Sequence, residues 1–194
     1  YAVAIGRQLD ENFISLIDQE KVSKNSLIEL ALALFEVDRV VSWEMLSYLL
    51  TSPCLLGSKE ELQQRFSFDA DIRASGVFET QIQDLIASKK LSFTCPLFVK
   101  IIKEVQQFGQ ERSGKKSFSE WVEFINSFLL KIAWMSDRGD SAIEDRIFQS
   151  WSSACDSLCS FDALSTGAVD FNDFLFHLYR RLDSLEVGHP SGPS

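Results

Sequence analysis

Apolar residues recur three and four apart along nearly the whole chain, the spacing that gathers them on one side of a helix. The stretch SLIELALALFEV is apolar nearly all round and opens on Asn25 or Ser26, so it predicts a capped helix deep in a core. In VVSWEMLSYLLTSPCLLGS a stripe of Trp43, Leu46, Leu49 and Leu50 runs into Ser52-Pro53, where proline cannot continue the hydrogen-bond ladder. Ser58 with Glu61 reads as a capping box for KEELQQRF, and Phe78, Ile82, Leu85 and Ile86 mark another helix. Pro96 suits a first helical position before Leu97, Ile101, Val105 and Phe108. The clearest stripe is Phe118, Trp121, Val122, Ile125, Phe128, Leu129 and Ile132, opened by Ser117 and Glu120. Ser141 and Glu144 open the next helix, striped by Ile143, Ile147, Trp151, Ala154, Cys155 and Leu158. Phe171, Phe174, Leu175, Leu178 and Leu182 mark the last. With one alternating segment at residues 1–5 as a candidate strand, the pattern predicts an all-α single domain of about eight helices with antiparallel neighbours. It spans residues 1–187, and residues 188–194 read as a disordered tail.

Composition narrows this picture. A chain of 194 residues at 45% hydrophobic content can bury one sizeable core and does not demand a second. No apolar run is long enough to span a membrane and no signal-peptide pattern is present, so the expectation is a soluble, cytoplasmic chain without membrane contact. The start at Tyr1 without Met reads as a piece of a longer protein. The 19 Lys and Arg against 28 Asp and Glu give a net charge of -9, which repels duplex DNA on average and confines any nucleic-acid contact to a local patch. Of Cys54, Cys95, Cys155 and Cys159, the last two fall on one helix face, with only His177 and His189 as further soft ligands. Two thiolates are too few for zinc, and buried reduced thiols are the reading. No metal and no cofactor is expected in this chain.

Two stretches imitate functional motifs. GQERSGKKS approaches a phosphate-binding loop through Gly109, Gly114 and Lys115, but Lys116 stands where a hydroxyl should meet magnesium, and a helical pattern precedes it where a strand is needed. An inter-helix loop is the reading. Residues 162–173 imitate a calcium loop, with Asp162 first, Gly167 sixth, Val169 eighth, Asp170 ninth and Asp173 twelfth. Calcium asks for an oxygen at the third position and a long bidentate Glu at the twelfth, whereas this chain has Leu164 and the shorter Asp173. The bland alternative is that Gly167 turns the chain and Asp170 caps the last helix. No catalytic signature stands out elsewhere, so the residues alone indicate a helical interaction or scaffolding domain.

The order YAVAIGRQL, then SLIELALALFEV, then VSWEMLSYLLTSPCLLG resembles a segment of the AddB/RexB-type helicase-nuclease proteins, long DNA-repair chains with a superfamily-one helicase-like part and a C-terminal PD-(D/E)XK nuclease. Later, Ser119, Glu120, Trp121, Trp134, Arg138 and Trp151 are similar to that family's Ser-Glu-Trp helix, its turn and the following helix. Departures are Gln8 in place of Pro, extra residues before the first helix, and Ala133, Met135 and Ser136 in place of the Gly, Pro and Gly of the turn. The resemblance implies a helical accessory insert, 2B-like, that orients the motor of an ATP-dependent helicase and exonuclease on DNA or against a partner subunit. It also implies that ATP binding and hydrolase chemistry lie elsewhere in the parent, so this part has no catalytic residue. A free-standing helical protein–protein interaction module is the alternative.

In that setting the cations matter locally. Lys100, Lys103, Arg112, Lys115 and Lys116 gather in an otherwise acidic chain and are the candidates for contact with DNA phosphates. The competing reading is that they are solvated, with Glu104 and Glu111 partly neutralising them.

Overall fold

A computed structural model describes residues 21–37, 39–76, 78–135, 142–164 and 167–185. The candidate strand at 1–5, the first resemblance segment, Ser136, Arg138, Ser141, His189 and the tail at 188–194 lie outside these, as does the side chain of Ile143. The expected all-α domain is what forms. Among the described residues there are nine α-helices: α1 (Ser26–Glu36), α2 (Trp43–Thr51), α3 (Leu62–Ser75), α4 (Ile82–Ala87), α5 (Lys89–Thr94), α6 (Pro96–Glu111), α7 (Phe118–Lys131), α8 (Ala142–Cys159) and α9 (Phe171–Asp183). Two short strands, β1 (Val40–Ser42) and β2 (Glu79–Gln81), pair antiparallel. Two 3-10 turns, Val22–Lys24 and Ser160–Leu164, complete the order.

The helices form two pairs of helix–connector–helix units with one repeated geometry. Six residues separate the helices at 37–42, 76–81 and 112–117, and residues 167–170 form a fourth connector leading into α9. In each pair the two connectors meet as antiparallel backbone, Val41 opposite Thr80 and Lys116 opposite Val169. All four of these residues stand two before the next helix starts. The joined connectors resemble the coupled loops of a calcium-binding helix–loop–helix pair, a supersecondary unit defined by its backbone rather than by an ion.

Local chemistry explains why the helices start there. Ser42 accepts from the Met45 amide, Ser117 and Glu120 form the expected capping box, and Asp170 accepts from the Asp173 amide. Gly114 and Gly167 hold φ of +87° and +76°, backbone that glycine adopts without steric cost. The bland reading of Gly167 and Asp170 therefore holds.

The core runs through both pairs. Phe35 at the end of α1 is fully buried, with its ring 5.5 Å from Phe108, 6.1 Å from Phe128, 6.2 Å from Trp151 and 6.4 Å from Phe171. One side chain of the first pair thus sits among rings from α6, α7, α8 and α9. Trp121 and Trp151 are buried as their stripes predict. Trp43 is only half-buried, and the Arg73 guanidinium lies 5.2 Å from its ring centre, while Leu46, Leu49 and Leu50 reach the core. The helix ends at Thr51 as Pro53 requires.

Three local expectations need correction. The Ser58 and Glu61 capping box does not form: Ser58 donates to the Pro53 carbonyl at 2.6 Å, and α3 starts at Leu62 with no side-chain cap. Glu61 is instead buried, accepting from the Leu97 and Phe98 amides at 2.5 and 3.0 Å and pairing with Arg65 at 3.0 Å. Its carboxylate thereby serves the start of α6, where Pro96 stands at the first position as expected. Phe78 is 79% exposed and precedes β2, so its helix begins only at Ile82. The short α5 was not anticipated, and β1 and β2 appear where the pattern suggested no strand.

Candidate functional site

The coupled connectors between α6 and α7 and between α8 and α9 bring together both imitations of functional motifs. Numbering Lys116 as an eighth position, like its partner Val169, turns residues 109–120 into a second calcium-like loop. Gly109 is then first, Glu111 third, Ser113 fifth, Gly114 sixth, Ser117 ninth and Glu120 twelfth. The phosphate-loop comparison obscured this register. The signal was present as a repeat: Gly114, Ser117, Phe118, Trp121 and Ile125 recur as Gly167, Asp170, Phe171, Phe174 and Leu178 at equal spacing.

Each loop lacks part of an ion's ligand set, and Asp162, Asp170, Glu111 and Glu120 are engaged within the chain. Asp162 reaches across to the neighbouring helix, accepting from the Phe118 and Ser119 amides at 2.9 Å each. A hydrogen bond from the Ser119 side chain holds its carboxyl below the ordinary carboxylate value, opposed by burial and supported by the Ser119 and Phe118 amides. Glu120 accepts from the Ser117 amide at 2.8 Å. Trp121 donates its indole N–H to the Val169 carbonyl at 2.9 Å, tying the connector before α9 to α7. Among the described residues no group of three or more His, Cys, Asp or Glu is placed to hold a metal ion. The phosphate-loop imitation begins inside α6 and continues into a connector between helices, without the preceding strand that motif requires.

The five candidate cations do not share one environment. Lys100 and Lys103 project from α6 and are exposed, as is Lys115. Arg112 is half-buried: it donates to the Phe35 carbonyl, and its guanidinium lies 5.9 Å from the Phe171 ring centre. Lys116 places its ammonium 4.1 Å from the Trp121 ring centre and 5.1 Å from that of Phe124, and donates to the Glu111 carbonyl at 3.4 Å. Arg112 and Lys116 therefore do internal work in joining the helices. Glu104, expected to neutralise this set, lies 3.6 Å from Lys131 instead.

Beside this connector, α6 and α7 diverge to leave a groove of about 360 Å³. Phe108, Phe124 and Phe128 line it below carboxylates from both helices.

The four cysteines are free thiols. Burial, with smaller contributions from Cys159 and Asp156, pushes the Cys155 thiol up to about 12, so it stays protonated and unreactive at neutral pH. No helix of the described residues is long and apolar enough to cross a membrane. Comparison of the chain with family models, with curated proteins and with solved structures finds no match.

Proposed function

We propose that this chain is a non-catalytic helical interaction module, in which paired helix–connector–helix units present a binding surface without a calcium switch or a reaction centre. The observation that carries this reading is the engagement of Asp162. The acid at the first position of its loop is committed to two amides of α7, so the connectors fasten helices to each other rather than wait for an ion. A calcium ion would have to draw Asp162 away from both donors while Leu164 supplies nothing at the third position. Free thiols, one of them deeply protonated, suit a reducing compartment, and we place the module in the cytoplasm.

The test combines two measurements on the purified chain. Millimolar calcium against chelator should leave the thermal midpoint unchanged, and neither ATP hydrolysis nor DNA cleavage should be measurable. A rise of several degrees with calcium, abolished by Asp162→Ala, would overturn the reading. So would turnover that disappears in Lys115→Ala.

A second reading, the accessory insert of an AddB/RexB-type DNA-repair helicase-nuclease, is favoured by one observation. The Val22 amide donates to the Leu185 carbonyl at 3.1 Å, and Lys21 meets Asp183 at 2.7 Å, so the two ends of the described fold lie side by side. A host chain could leave and resume at one place, as an insert requires. DNA would then meet Lys100, Lys103 and Lys115, while Arg112 and Lys116 are held by internal contacts. In the parent, changing those three lysines to Glu should weaken duplex binding and flatten its salt dependence. An unchanged salt slope, or a parent reading frame no longer than this chain, ends that reading.

A further inference from the structure

The groove between α6 and α7 has a floor and a rim of different chemistry. Its floor is aromatic: the half-buried Phe124 ring lies 4.8 Å from that of Phe108, which lies 4.4 Å from that of Phe128, so Phe124 presents the open ring face and the two buried rings back it. Its rim carries Glu111, Glu120 and Glu123. Near one end the Lys116 ammonium lies over the Trp121 and Phe124 rings, and towards the other Lys131 lies 3.6 Å from Glu104. The groove thus already attracts cations from its own chain, by ring faces at one end and by a carboxylate at the other.

We propose that this groove docks a basic amphipathic segment of a partner protein, one that lowers a large apolar side chain onto the phenylalanine floor and sets lysine or arginine against the rim. The proposal rests on the interaction-module reading and names the partner's chemistry. Charge complementarity selects this occupant. The rim acids between Lys116 and Lys131 call for positive charge, and the chain's net charge of -9 opposes acidic peptides, anionic lipid and nucleic acid alike. Size agrees: from Glu120 to Lys131 the groove follows α7 for roughly 16 Å at about 1.5 Å per residue, which suits about three turns of a partner helix. A volume near 360 Å³ is within the lower range of sites that enclose a bound group.

The probe is a fluorescein-labelled peptide of roughly twelve residues, about three helical turns, built from Lys and Leu with one central Phe. Its twin carries Glu for every Lys, and labelled duplex DNA is run in parallel. Anisotropy of the full chain should rise with the Lys peptide, most steeply at low salt, and stay flat with the Glu twin and with DNA. Glu111→Lys with Glu123→Lys, checked for native helicity, should weaken binding by about tenfold or more and remove the salt dependence. Ser127→Trp fills the groove without altering charge and should weaken binding to a similar degree.

Equal binding of both peptides would overturn the proposal, as would failure of the Lys peptide to bind. If the Lys peptide binds and neither variant weakens it, this groove is not the site, yet the interaction-module reading survives. Calcium response or catalytic turnover would sink that underlying reading whatever the peptide does. Preference for DNA would favour the helicase insert instead.

Discussion

The connectors of the first helix pair meet in three consecutive residue pairs, Val40 with Gln81 through Ser42 with Glu79, whereas among the described residues those of the second meet at the single pair Lys116 and Val169. The connectors of the second pair hold two positive-φ glycines and two side-chain caps, where those of the first hold Gly76 at +68° and the Ser42 cap, and the second pair adds the Asp162 bridge to α7. The first has no glycine in residues 37–42, and Gln81 gives α4 no side-chain cap. Their interiors differ as well. Leu30, Leu34, Leu46, Leu49 and Leu50 fill much of the first, and the second is built around Trp121, Phe108, Phe128, Trp151, Phe171 and Phe174. A net hydrogen bond contributes about 1 kcal/mol, and a buried aromatic side chain several times that. The shared geometry is therefore set by helix packing, and each connector satisfies it with whatever polar groups it has.

The strongest way to break that comparison is to remove Phe35, the residue that belongs to one pair by sequence and to the other by its neighbours. Phe35→Ala should cost roughly 3 to 5 kcal/mol, with Trp121→Ala and Trp151→Ala in the same range, all measured by urea unfolding. A loss below about 1 kcal/mol for Phe35→Ala would mean that the two pairs do not share a core.

Glu61→Ala should follow closely, at roughly 3 kcal/mol, because it leaves the Arg65 guanidinium buried without its carboxylate and strips two amides of α6. Rescue by Arg65→Met in the same chain would attribute the cost to the orphaned charge. Absence of coupling in that double-mutant cycle would count against the ion pair.

Asp162→Asn gives a smaller effect, about 1 kcal/mol at neutral pH, since it weakens a cap. The sign of its pH dependence follows from the lowered pKa. The contribution is present above the ordinary carboxylate value and is lost as pH falls through the depressed one. Wild-type stability should therefore drop more steeply than the variant's below about pH 4, an ordinary aspartate's range, in thermal melts across acid buffers. Parallel pH profiles would remove Asp162 from the account of the second pair.

What was legible in the residues was periodic and local. The stripes of α2, α7 and α9 announce themselves because each repeats over several turns, and Ser117 with Glu120 are cap and partner within one turn. The six-residue α5 carries only Leu91 inward, while Phe93 is 89% exposed, so no period could establish it. Glu61 offers the right residue for a local cap, yet its amide partners stand 36 and 37 residues away. Strand pairing has the same character, since three-residue runs such as Val40–Ser42 acquire meaning only opposite a partner. Within the candidate site, charge counting found the cations but could not separate exposed Lys115 from Lys116, whose ammonium lies over aromatic rings.

The clasp between residues 21–23 and 183–185 also has a mechanical side. Ser23 donates to the same Asp183 carboxylate that Lys21 meets, at 3.1 Å, and Val22 is fully buried beside them. Tension applied between these two ends would not be shared along the helix axes. It would fall on a few polar bonds at one point, opening the fold from that edge as a zip opens, while the same load applied along α6 would have to shear a packed aromatic core.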